Sequence, residues 1–314
     1  MALASLKMLS PPDVLVLGGG GLLGEAWMMG VLAGLEDVTG FDLRRCEHFV
    51  GTSAGAIVAA HLAAGKAPRR PSFVGAEIEV RDVQPEGTLV TAMLDAARSA
   101  GAWALASSAT FAPLALGLAA PGGAIMRALA LRSLPRRHGA LDELRAAVER
   151  SGARFDGRLR VTAVERQSGR RIVFGNPGAP KATVGQAVEA SCTVPWLFAP
   201  VRIDDREYVD GGLWSPTNLD IAPAGRDTHV LCLNPAASIA GSHTLVGVVR
   251  NVARSAVSLE TLALRRRGAA VQSVAPNLES AAAMGSDFVD REPRGRVLAA
   301  GYRQGLALGG STDG

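Results

Sequence analysis

The feature that most constrains the fold is a pattern that occurs twice near the start of the chain. Val14–Leu17 is a run of four apolar residues that ends at Gly18-Gly19-Gly20-Gly21. Trp27, Val31, Leu32 and Leu35 follow at helical spacing, which predicts a helix over Gly24–Glu36. The pattern then recurs: His48–Val50 reads as a second strand, and "GTSAGAIVAAHLAAG" as a turn entering a second helix. A chain that leaves a strand through a helix re-enters the sheet in the same direction. The expected fold is therefore α/β with a mainly parallel central sheet.

The 314 residues are enough for one large or two modest domains. The formal net charge is +4, carried almost wholly by arginine, since Lys7, Lys66 and Lys181 are the lysines. No basic stripe is interleaved with aromatic residues, so no nucleic-acid partner is expected. Cys46, Cys192 and Cys232 are odd in number and widely spaced, with no CxxC, which argues against a disulfide framework or a zinc site. The opening "MALASLKMLSPPD" lacks a continuous apolar core of the signal-peptide kind. A cytoplasmic protein, able to make peripheral contact with a membrane, is the expectation.

Further along, residues 1–12 read as a tail and 13–225 as the main domain, with an insertion or lid at about 76–138. Residues 226–314 read as a strand and helices that complete or flank that domain. Ser99–Met126 carries no charge, but Pro113, Pro121 and Gly122-Gly123 interrupt it, which argues against a membrane span. A helical apolar insertion is expected, either an interfacial lid or packed core. The arginines behind it (Arg127, Arg132, Arg136, Arg137, with His138) would then face anionic lipid or simply solvent. A helix is expected over Leu141–Arg150, strands over Leu159–Glu165 and Arg171–Phe174, and a helix over Val184–Ala190. Val201–Ile203 and Glu207–Val209 form a plausible hairpin about Asp204-Asp205. A strand over His229–Leu233 and helices over Thr244–Arg267 and Arg294–Leu308 complete the reading.

Gly19, Gly21 and Gly24 satisfy the dinucleotide-binding spacing GxGxxG between a strand and a helix. The acidic residue that would hold a ribose is missing, because the second strand ends Val50-Gly51-Thr52-Ser53. A P-loop fails as well, since Glu25, not lysine, follows Gly24 and would repel phosphate. Gly51-Thr52-Ser53-Ala54-Gly55 is instead a GxSxG at a strand-to-helix junction, where a sharp turn exposes the serine hydroxyl. Gly51 and Gly55 let neighbouring backbone pass close by, and the helix start adds a positive dipole end. A serine nucleophile needs a base. His229 begins an apolar strand and His243 sits near a helix start, and both read more readily as structural. Only one strand precedes the serine, unlike α/β-hydrolases. A carboxylate is left, and Asp210, which ends a strand before Gly211-Gly212, could reach the same sheet edge as Ser53; an Asp-Gly-Gly turn is the plainer alternative.

Taken together, the Gly-rich loop, the GxSxG and "ASCTVPWLFAPVRIDDREYVDGG" resemble the patatin-like phospholipase family. The resemblance runs from about Val14 to Gly212. It implies a three-layer α/β/α fold and a Ser–Asp dyad that hydrolyses acyl esters of lipids without metal or other cofactor. By motif, Ser53 would be the nucleophile, Asp210 the base, and the amides of Gly19, Gly20 and Gly21 the oxyanion hole. Gly24, Gly51, Gly55, Gly211 and Gly212 support the motifs. One departure is Leu23, which stands where the family usually has arginine or lysine. An acyltransferase using the same acyl-serine, a catalytically impaired lipid-binding protein and a dinucleotide-binding oxidoreductase are the alternatives.

Overall fold

A computed structural model describes residues 10–74, 77–79, 124–133, 141–195, 197–238, 257–285 and 293–310. The first βαβ unit is β1 (Val14–Leu17), α1 (Gly21–Thr39) and β2 (His48–Gly51), followed by α2 (Ala54–Ala63). A small separate hairpin, β3 (Ser72–Val74) and β4 (Glu77–Glu79), comes next. The chain continues through α3 (Ala124–Ser133), α4 (Asp142–Arg150), β5 (Leu159–Glu165), β6 (Arg171–Phe174) and α5 (Val184–Cys192). It ends with β7 (Val201–Ile203), β8 (Arg206–Asp210), β9 (His229–Leu233), a helical stretch over 257–266, β10 (Ala270–Val274), α6 (Leu278–Met284) and α7 (Arg294–Gly309).

Eight strands form the central sheet in the order β10-β9-β1-β2-β5-β8-β7, with β6 on the other side of β5. The first five of that order run parallel, and β6, β7 and β8 add antiparallel pairs. Side chains alternate across the pleat and so feed two cores. Leu15 and Leu17 of β1 pack with α1, α2 and α5 on one face, while Val14 and Val16 pack with Leu219, Val257 and Leu264 on the other. Helices therefore cover both faces of a mainly parallel sheet, the three-layer arrangement expected.

Three readings change. The first helix begins at Gly21, three residues before the expected Gly24, and its added turn brings Leu22 and Leu23 into the core. Ala270–Val274 is a strand and Leu278–Met284 a helix, neither visible in the sequence. Gln272 and Ser273 break the alternation of β10, and its parallel pairing with β9 decides its conformation instead. Arg127 does not face outward with Arg132: it is fully buried, donates from Nε to the Gly169 carbonyl (2.6 Å) and stacks 4.3 Å from the Trp214 ring centre. A planar, weakly hydrated guanidinium can shelter over an aromatic face in this way. Most of the charge-free segment, together with Arg136, Arg137 and His138, lies outside the described residues.

Helices α1 and α7 approach more closely than any side chain would permit. A methyl group at Gly30 would strike the Leu298 carbonyl, one at Gly34 the Tyr302 carbonyl, and one at Gly305 the Val31 carbonyl. The seam is polar at intervals: Trp27 Nε1 donates to Gln304 Oε1 (2.9 Å), and Arg294 pairs with the buried Glu25 (2.7 Å). Because backbone cannot move aside as a side-chain tip can, Gly30→Ala should destabilise the protein by about 3 kcal/mol. Gly225→Ala, where the added methyl meets nothing within 4 Å, is the control. Equal melting temperatures for the two variants would refute this account of the seam.

Candidate active site

The site lies where two strands meet end to end along one side of β5. Val161 has Gly51 of β2 on one side and Phe174 of β6 on the other. Ala163 has Asp210 of β8 on one side and Ile172 of β6 on the other. Strands β2 and β8 therefore share the same side of β5, run in opposite directions, and stop two residues apart. Two residues of strand span roughly 7 Å, within reach of two short side chains. Ser53, just past the end of β2, and Asp210, the last residue of β8, meet across that gap: Ser53 Oγ donates to Asp210 Oδ2 at 2.8 Å.

Local geometry explains the residue types. Ser53 sits at φ 52° and ψ −122°, a conformation that costs a non-glycine residue about 1–3 kcal/mol and turns its hydroxyl out of the sheet. The turn is held by its neighbours, with Thr52 N–H donating to the Leu17 carbonyl (3.0 Å) and Ser53 N–H to Ser191 Oγ (2.8 Å). A side chain at Gly55 would collide with the Leu17 carbonyl, and one at Gly51 with Ala56 Cα. Both glycines of GxSxG are thus required by the closeness of α2 to the ends of β1 and β2. Gly211 is packed as tightly, because a methyl there would come within 2.5 Å of Thr162.

Asp210 is 6% exposed and, among the described residues, has no cation as a partner. Its Oδ1 accepts the Gly212 N–H (2.6 Å), and its own N–H donates to the Thr193 carbonyl (2.9 Å). Burial pushes its carboxyl up to about 6, and the Gly212 N–H and Ser53 hydroxyl hold it from rising further. Burial also pushes the neighbouring Cys192 thiol well up, which keeps it protonated and a poor nucleophile.

The glycine loop forms the opposite wall. Gly18 N–H donates to the Leu233 carbonyl (2.9 Å) and Gly19 N–H to the Pro216 carbonyl (2.8 Å), so both amides are occupied. Among the described residues no acceptor takes the Gly20 or Gly21 N–H. Gly21 opens α1 and Ser53 precedes α2, so two helix N-termini converge on the serine hydroxyl. Pro235 packs under the loop, where a methyl on Gly20 would lie 2.6 Å from its ring and one on Gly24 3.1 Å away. Leu23 points into the main core and is fully buried.

A cleft of about 270 Å³ opens on this edge, lined by Gly19, Gly20, Gly21, Ser53 and Asp210 with Val194, Pro195, Leu213, Pro216 and Ala236. Among the described residues that line it, the dyad alone is ionisable, and none is a histidine. His229 stands at the far end of β9, half exposed beside Ser10 and Asp13. His61 Nε2 lies 3.0 Å from the Ala67 carbonyl, and His243 and His138 fall outside the described residues. Periodicity and motif spacing do not mark Val194 and Pro195 as cleft walls, nor Thr52, Thr162 and Asn218 as a buried polar group beneath the dyad. An asparagine inside "SPTNLD", able to tolerate a left-handed turn, was the one available signal for the latter.

A family profile for patatin-like phospholipases matches residues 15–223. Among solved structures, VipD from Legionella pneumophila is 17% identical over 96% of this chain and 67% of its own, with a TM-score of 0.45. ExoU, a type III effector protein, is 17% identical over 95% of this chain and 52% of its own, with a TM-score of 0.35. The chain therefore spans about two thirds of the length of the first and about half of the second. No curated protein sequence matches it. The profile covers the glycine loop, the serine turn and the aspartate turn, and well over half of the residues. The chain belongs to the patatin-like phospholipase family.

Proposed function

We propose that this protein is a lipid acyl hydrolase, of phospholipase A, lysophospholipase or carboxylesterase type, working through a Ser53–Asp210 dyad. Lipid hydrolysis in general follows from the family. The observation that carries the mechanism is the 2.8 Å hydrogen bond from the Ser53 hydroxyl to a buried carboxylate at the floor of an apolar cleft.

Asp210 Oδ2 takes the Ser53 proton as Oγ attacks the ester carbonyl carbon. The carbonyl oxygen becomes an oxyanion, and the Gly20 and Gly21 N–H groups, backed by two helix N-termini, receive it. Gly19, its amide spent on Pro216, holds the loop in place. Collapse expels the alcohol, which leaves with the proton from Asp210. Water, deprotonated by the same carboxylate, then releases the acid from the acyl-serine. An ordinary aspartate near 3.9 is a weak base, and one raised to about 6 is stronger yet still ionised at neutral pH. The cleft adds little but apolar surface, which suits an acyl chain.

Ser53→Ala and Asp210→Asn should each abolish ester hydrolysis in folded protein, since nucleophile and base act as one unit. His229→Ala should retain it. Hydrolysis of a soluble p-nitrophenyl ester and of phospholipid vesicles tests both, and activity in Ser53→Ala would sink the assignment.

The pH dependence has a defined sign. Because the Asp210 carboxyl is raised in the fold, its favourable contribution to stability is complete below about pH 4 and lost as pH rises through about 6. At neutral pH that loss is about 3 kcal/mol. Asp210→Asn should therefore melt higher than wild type at pH 8, and the difference should vanish by pH 4. In wild type, kcat/KM should rise with a midpoint near 6. A difference in melting temperature that does not change with pH would show that Asp210 is not held in a desolvated state.

Gly20→Ala should lower kcat about a hundredfold with little change in KM, because contact with Pro235 displaces the Gly20 and Gly21 amides from the oxyanion. An unchanged kcat would place the oxyanion hole elsewhere.

A further inference from the structure

The gap between β2 and β8 is a break in the sheet, and it is filled by side chains. Thr162, between the two β5 residues that face Gly51 and Asp210, points its hydroxyl into the gap, 2.9 Å from Thr52 Oγ1. Above this pair sits Asn218, fully buried and in the left-handed region at φ 49° and ψ 38°. Its Nδ2 lies 3.1 Å from Thr52 Oγ1, 3.3 Å from the Gly211 carbonyl and 2.7 Å from the Ser215 carbonyl. Thr52 is the residue before Ser53, and Gly211 the residue after Asp210. One amide thus touches both turns of the dyad while touching neither reacting group.

The orientation of that amide is itself set from outside. Arg171 Nη1 donates to Asn218 Oδ1 (3.1 Å), and its guanidinium is held by a two-pronged pair with Asp220 (2.6 and 2.7 Å). With its oxygen claimed by arginine, the amide must present its N–H groups to the dyad turns. Asn218 N–H in turn donates to Ser215 Oγ (3.0 Å), which closes the loop on itself. No ladder hydrogen bonds run between β2 and β8: β5 sets the register of the two strands, and Asn218 ties together the turns that lie beyond their ends.

Resting on the hydrolase reading above, we propose that Asn218 is a positioning residue for the reaction: its side-chain amide cross-links the Ser53 and Asp210 turns and sets their separation. Any other side chain loses the cross-link, and most also resist the left-handed backbone. Glycine keeps the backbone and removes the amide. Aspartate keeps the shape but replaces the donor with an oxygen facing the Gly211 and Ser215 carbonyls. A misplacement of about 1 Å at a reacting pair costs on the order of a hundredfold in rate.

The test uses the full chain as wild type, Asn218→Gly and Asn218→Asp. Active sites are titrated with a fluorophosphonate that labels Ser53, and kcat and KM for a soluble ester are measured per titrated site across pH 4–9. The expected result is a tenfold to hundredfold loss of kcat per labelled site in both variants, KM within about twofold, and a shifted midpoint on the acid limb. A merely structural asparagine would lower the melting temperature and the labelled fraction but leave per-site kcat and the midpoint alone. That outcome in either folded variant overturns the proposal. Failure of wild type to label at Ser53 would overturn the hydrolase reading, and the positioning role with it, whereas a labelled wild type with unaltered variants removes the positioning role alone.

Discussion

Strand β5 acts as a splint, and the site depends on it. By pairing with parallel β2 through Leu159–Val161 and with antiparallel β8 through Ala163–Glu165 on one side, it brings two strand ends face to face. A serine ends one and an aspartate the other, 157 residues apart in sequence and 2.8 Å apart in space. No tight turn can join them there, since both strands arrive at the gap by their C-terminal ends. Register along β5 is what brings them together, and a slip of one residue would turn Asp210 to the opposite face of the sheet.

Desolvation does the chemical tuning. Among the described residues Asp210 has no arginine or lysine partner, and its two oxygens are met by the Ser53 hydroxyl and the Gly212 N–H. Burial without a cation raises its basicity, whereas a salt bridge would have lowered it. Several arginines are instead engaged elsewhere: Arg171 on Asp220, Arg294 and Arg69 on Glu25, and Arg127 on the Gly169 carbonyl and the Trp214 face. Leu23 fits the same picture, because it is buried in the core and brings no charge to the cleft.

Close backbone packing holds the loop and the turn in place. The glycine contacts between α1 and α7, between Gly55 and β1, and between Gly211 and β5 leave these elements little room to shift. Strain at Ser53 persists because Leu17, Ser191 and the first turn of α2 hold it from three directions. Tight packing there is the cost of an exposed hydroxyl at a sharp bend.

Sequence by itself determined the parallel α/β class, the strands at 159–165 and 171–174, and the candidates Ser53 and Asp210, because these follow from local periodicity, turn chemistry and motif spacing. It could not show that the Gly19 amide is already taken by Pro216, since that bond joins residues remote in the chain. Nor could it show β10, whose polar residues are made a strand only by β9 beside them. Arg127 reads as a surface cation from its neighbours in sequence and is buried by an aromatic ring 87 positions away. Asn218 has no motif at all, and its place under the dyad exists only once two strands stop on the same side of β5. Local propensity is a property of neighbouring residues, whereas desolvation, amide occupancy and strand register arise from contacts between distant ones, and only the folded chain brings those together.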